Sequence, residues 1–90
     1  METTMDNNNS NHYITFMCDG QQQIMSGLTY VPQKNLNKII CADLIGILFN
    51  EWLSIKGNKD KHPQKHSVTL FYNNKPVAIM NLYTNNIKML

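Results

Sequence analysis

Twenty residues, Leu36 to Ile55, decide what this chain can become. They read LNKIICADLIGILFNEWLSI and form the one segment long and apolar enough to sit at the centre of a core. Asn35 or Asn37 supplies a short polar side chain to accept from the free amides of a first helical turn. Pro32 closes whatever precedes it. Gly57-Asn58 follows with the residue types that tolerate a left-handed stop, and Lys56 is placed to face the helix dipole from the last turn. The length between these signals fits a helix and is too long for a strand.

At roughly 100° per residue, Cys41, Leu44, Ile45, Leu48, Phe49, Trp52 and Ile55 share one broad apolar face. Leu36, Ile40 and Ile47 make a second stripe on the side that would meet water. Asp43, Asn50, Glu51 and Ser54 leave only a narrow polar remainder. A helix apolar nearly all round is buried on more than one side. Gly46 in mid-helix points the same way, to close approach of another backbone. A membrane span is excluded: the uninterrupted apolar run is Leu44 to Phe49, with Asp43 before it and Asn50-Glu51 after it, against the twenty or so residues a span needs.

Around that helix the sequence places two hairpins. Tyr13 to Cys18 is rich in aromatic and branched residues and reads as a strand. Asp19-Gly20 is the strongest turn dipeptide in the chain. Gln21 to Ser26 returns antiparallel, with Phe16 facing Gln23, Ile14 facing Met25 and Thr15 facing Ile24. Gln21-Gln22-Gln23 is weak strand material and suits an exposed edge. Gly27 marks a bulge, after which Leu28 to Val31 continues the strand. Beyond the helix, residues 56–66 form a polar lysine-rich loop. Ser67 to Tyr72 and Val77 to Tyr83 are the last two strands, joined by a turn at Asn73-Asn74-Lys75-Pro76. With a four-residue loop, Tyr72 opposes Val77, Leu70 opposes Ile79 and Phe71 opposes Ala78. Both faces of this hairpin carry apolar residues, where a sheet with one solvated face alternates more cleanly. Ile87 to Leu90 is a short tail that docks or frays.

The fold class is therefore α+β: a small ββαββ domain, an antiparallel sheet of two hairpins packed on one central helix. Residues 1–11 form a flexible polar lead without periodicity, and residues 12–90 a single domain. Ninety residues bury one core, and not generously.

No arrangement of reactive groups points to an enzyme. Cys41 lies on the apolar helix face and Cys18 in a strand, so both read as small buried thiols, with no disulfide framework. His62 and His66 have the spacing of half a zinc site, but the matching cysteine pair is absent. No phosphate loop, nucleophile elbow or dinucleotide fingerprint is present. No catalytic, metal or cofactor-binding residue is assigned. An intracellular setting, in the cytoplasm or that of a host, follows from the cysteine usage and the lack of an apolar leader.

What remains is surplus apolar surface, and large exposed apolar patches mark interaction sites. The expected function is non-enzymatic protein–protein association as a homodimer, with Leu36, Ile40, Ile47 and Phe71 in the interface. Asn, Lys, Ile and Tyr are plentiful and Arg is absent, the bias of an AT-rich genome. That bias suggests a viral or mobile-element factor that engages a host protein. The alternative is a nucleic-acid-binding module using Lys56, Lys59, Lys61 and Lys65. A net charge of +2 without arginine is weak support for it.

Overall fold

A computed structural model of the chain describes residues 12–27, 36–58, 60–61 and 67–90. The N-terminal lead, the continuation Leu28 to Val31, and Asn35 as a cap lie outside the described residues. Five strands and one helix follow in the order β1 (His12–Cys18), β2 (Gln21–Gly27), α1 (Lys38–Ser54), β3 (Ser67–Tyr72), β4 (Lys75–Asn81) and β5 (Ile87–Met89). All strand pairs are antiparallel, in the spatial order β2-β1-β3-β4-β5. The class is mixed α+β, but the sheet has a fifth strand that the two-hairpin expectation left as a tail.

The first hairpin has the expected register, Ile14 with Met25, Thr15 with Ile24 and Phe16 with Gln23. Its turn residues take the left-handed conformation, φ 55° at Asp19 and 77° at Gly20. Positive φ at both central residues matches the right-handed twist of the flanking strands. The second hairpin departs from expectation. Its loop is two residues, Asn73 (φ 52°) and Asn74 (φ 67°), and Lys75-Pro76 already belongs to β4. Leu70 pairs with Ala78 and Thr69 with Ile79, and the register slips between Leu70 and Phe71, which pairs with Pro76. Asparagine tolerates the left-handed region well enough to build the tight turn twice over. The slip takes up the extra residue.

β5 forms because Asn81 turns the chain back. Its side-chain Oδ1 accepts from the amides of Tyr83 (2.8 Å) and Thr84 (3.0 Å), an Asx-type turn. Asn85 at φ 61° completes the reversal, and the Leu90 amide bonds the Val77 carbonyl at 3.0 Å.

The helix is shorter than the apolar stretch. Asn37 is the cap, its side chain accepting from the Ile40 amide at 2.9 Å. The helix ends at Ser54, so Lys56 lies beyond the last turn, which holds no basic residue. The exit is fastened by Asn58, a buried polar residue whose Nδ2 donates to the Trp52 carbonyl at 3.0 Å. Ile55 is exposed.

α1 packs on one face of the sheet and touches all five strands. The core lies between them: His12, Ile14, Phe16 and Cys18 from β1, Val68, Leu70 and Tyr72 from β3, Ala78 and Met80 from β4, and Cys41, Leu44, Ile45, Leu48 and Trp52 from the helix. Phe16 stands edge-on to both Trp52 (4.8 Å) and Phe49 (5.4 Å), a preferred aromatic geometry. Trp52 Nε1 donates to Gln23 Oε1 at 3.2 Å, which satisfies a polar group the core would otherwise strand. Gly27 is a close-packing position and no bulge interrupts its pairing with His12. A Cβ there would lie 2.7 Å from His12 Nε2 and 2.8 Å from Leu48 Cδ2.

Candidate functional site

Alternation along a strand sends every second side chain to the face away from the helix. On β1 these are Tyr13, Thr15 and Met17; on β3 Ser67, Thr69 and Phe71; on β4 Ile79; on β2 Gln22, Ile24 and Ser26. The pairings align them in rows across the sheet. One row runs Ile24, Thr15, Thr69, Ile79, Lys88; the next joins Ser26, Tyr13 and Phe71. No described helix or strand lies over these rows.

The face is apolar where it is widest. The rings of Tyr13 and Phe71 stack with centroids 4.9 Å apart and planes 5° from parallel. Tyr13 donates its hydroxyl to Asn74 Oδ1 at 3.4 Å, a long contact at the turn. Tyr13, Met17, Phe71 and Ile79 are half-buried, and they stand apart from the buried core cluster. Tyr13 and Phe71 cover part of each other's surface by stacking. Ile24 is 60% exposed. Lys88 is the one charge in these rows.

The β1–β3 ladder stops at Thr15 with Thr69. Continuing it would pair Met17 with Ser67, and there the strands separate. A depression of about 210 Å³ opens, lined by Thr15, Phe16, Met17, Gln22, Ser67 and Thr69. Its lining offers hydroxyls and one amide and no group that titrates near neutrality.

The structure divides the residues that the sequence suggested for an interface. Leu36 and Ile40 are half-buried and pack against the chain's own core, so they do not form an outward stripe. The helix touches all five strands, so more of its surface meets the sheet than one apolar face. Ile47 does face outward, at 51% exposure, with Ile39 at 75%. Phe71 is on the sheet face that no described element covers. The close backbone approach expected at Gly46 is not made by any described residue, since an added Cβ would meet none of them within 4 Å. Of the basic loop, Lys56 is exposed and Lys61 half-buried, the Lys61 amide bonding the Asn58 carbonyl at 3.0 Å. Lys59, Lys65, His62 and His66 lie outside the described residues. Of the aromatics near that loop, Tyr72 is core and Tyr83 is exposed.

Cys18 and Cys41 are both buried. Burial pushes the Cys41 thiol above its ordinary pKa and away from the reactive thiolate. His12 and Cys18 share a face of β1 but stand at its opposite ends, about 20 Å apart at strand rise, so they cannot act on one bond. Among the described residues no group of three His, Cys, Asp or Glu could hold a metal ion. No described helix is long and apolar enough to cross a membrane.

No protein-family model, curated protein or solved structure matches this chain. The uncovered face is therefore judged on its own chemistry. Tyr13, Met17, Ile24 and Ile79 are surface residues that the sequence pattern does not single out. The signal was present in β1, where HYITFMC places apolar residues on both faces, and in the expected pairing of Thr15 with Ile24.

Proposed function

We propose that this chain is a non-enzymatic binding domain that works by protein–protein association, as a homodimer, and that the sheet face no described element covers is where it contacts its protein partner. The observation that carries the reading is the stacked Tyr13–Phe71 pair, set beside Met17, Ile79 and Ile24 on a face crossed by one charge. Rigid aromatics on a flat apolar surface are the residues that dominate protein interfaces. A sheet with a solvated outer face normally presents polar side chains there.

The nucleic-acid reading has less to stand on. Stacked rings do suit bases. Affinity for nucleic acid comes chiefly from phosphate contacts, and Lys56 and Lys61 come off the helix end, away from these rows.

Affinity capture with the full chain from its own cells tests the proposal. Wild type retains a partner in stoichiometric amount, Phe71→Glu and Ile79→Glu lose it, and Lys56→Ala with Lys61→Ala keeps it. Retention unchanged by the face variants would end the reading. Capture abolished by nuclease and by the lysine changes would move the function to nucleic acid.

A further inference from the structure

The two edges of the sheet are built differently. β5 is three residues long and carries Lys88, and Lys75-Pro76 begins the strand beside it. Short strands, lysine and proline are the usual means of keeping an edge from pairing with another chain. β2 has none of these protections. It spans seven residues, QQQIMSG, without a charge or a proline. Gln21, Gln22, Ile24 and Ser26 are exposed along it.

We propose that two copies of the chain join edge to edge through β2, antiparallel about a two-fold axis at Ile24, making one continuous sheet of ten strands. This rests on the association reading above and specifies how the homodimer forms.

The backbone selects that axis. A two-residue hairpin loop is closed by a hydrogen-bonded pair, here Cys18 with Gln21, and bonded pairs alternate along an antiparallel ladder. Phe16–Gln23, Ile14–Met25 and His12–Gly27 are then the bonded pairs of the hairpin. The amides and carbonyls of Gln22, Ile24 and Ser26 are left pointing to the free edge. These three residues are symmetric about Ile24, the middle residue of the strand. With the axis there, Ile24 exchanges both bonds with the partner's Ile24, and Gln22 with the partner's Ser26. Every outward group of the strand is paired. Sliding the register by one step toward the turn sets Ser26 opposite the partner's Gly20; the opposite slide carries Gln22 past the end of the partner's β2.

The side chains agree with the same axis. Ile24, 60% exposed in the single chain, meets its own copy on the uncovered face. On the helix side Gln23 opposes the partner's Met25. No like charges are brought together, which would weaken the pairing. The dimer is isologous, the commonest closed assembly, and the row Ile79, Thr69, Thr15, Ile24 runs on into its mirror sequence in the partner.

Cysteine cross-linking with sedimentation of the full chain tests this. Cys18 and Cys41 are buried, so an introduced thiol reports alone. Directly opposed residues have Cα atoms about 5.5 Å apart, within disulfide reach. Ile24→Cys is expected to form a covalent dimer under mild oxidation. Gln22→Cys is about 13 Å from its own copy and stays single, yet links to Ser26→Cys when the two variants are mixed. Wild type sediments at twice the 10.4 kDa chain mass. Ile24→Lys and Gln22→Lys, each checked for folding by circular dichroism, weaken the dimer by about tenfold or more. A wild-type monomer at every concentration overturns the proposal. So does a dimer indifferent to both lysines, or one in which Gln22→Cys self-links as readily as Ile24→Cys. A monomer that still captures a partner through Phe71 removes this dimer and leaves the binding face standing.

Discussion

The two faces of the sheet carry similar side chains and meet different fates. Beneath the helix, Ile14, Phe16, Val68, Leu70 and Met80 are buried. On the other side Tyr13, Met17, Phe71 and Ile79 are half-buried under no described element, with Tyr13 and Phe71 stacked. Composition does not separate them; the position of one seventeen-residue helix does. A single helix can cover one face of a five-stranded sheet, and the described residues hold no second layer. The apolar character of the second face therefore has no use within the described fold. That is why it reads as a contact surface.

Neighbouring residues on β3 give the sharpest way to break this contrast. Leu70 is wholly buried and Phe71 lies one residue on, facing the other way. Leu70→Ala is expected to cost about 2–5 kcal/mol through lost transfer energy and the cavity left behind. Phe71→Ala gives up the stacked pair with Tyr13, a loss of about 0.5–1.5 kcal/mol, and leaves no buried cavity. Urea unfolding of both variants at dilute concentration compares them directly. Equal losses would mean that the face is a second core, covered by part of the chain, and the binding reading would fall.

Much of this layout is legible in the sequence, and the departures have physical causes. Asp-Gly specified its turn so strongly that the whole first register followed. The buried face from Cys41 to Trp52 is legible from periodicity, and an asparagine cap from residue type, though the sequence leaves Asn35 and Asn37 as equal choices. The second hairpin was misread because Asn73-Asn74-Lys75-Pro76 suggested a four-residue loop. Asparagine's tolerance of positive φ made a two-residue turn instead, and the slip at Phe71 hid the change. β5 was missed because its pairing depends on the Asn81 side chain, a contact no strand pattern encodes. For the candidate site, the surplus of apolar surface was visible but its address was not. Leu36 and Ile40 were placed outward because a helix's rotation is fixed by what it packs on, and that is a tertiary fact.

Gly27 tests the covered side more finely. Gly27→Ala sets a methyl group 2.7 Å from His12 Nε2 and 2.8 Å from Leu48 Cδ2, and both neighbours are buried. Relief requires moving packed groups, so a loss of about 1–3 kcal/mol is expected in thermal or urea unfolding. A neutral result would show that the helix sits more loosely over β2 than over the middle of the sheet. It would also weaken the claim that this side is closed.

Gly46 offers the smallest effect and the opposite sign. It lies on the helix between Ile39 and Asn50, and an added Cβ meets nothing within 4 Å. Gly46→Ala removes the backbone freedom of a mid-helix glycine without a clash, so the single chain gains about 0.5–1 kcal/mol. The same variant separates the two uncovered regions of the molecule. If association runs through β2 and the open sheet face, the added methyl leaves the dimer and partner capture unchanged. If the exposed Ile39 and Ile47 are the true contact, as the apolar stripe on the helix predicts for Ile47, Gly46 would be the point where another backbone comes close. The methyl would then stabilise the monomer while breaking its association. Measuring unfolding and self-association on one sample therefore decides which uncovered region is the binding surface.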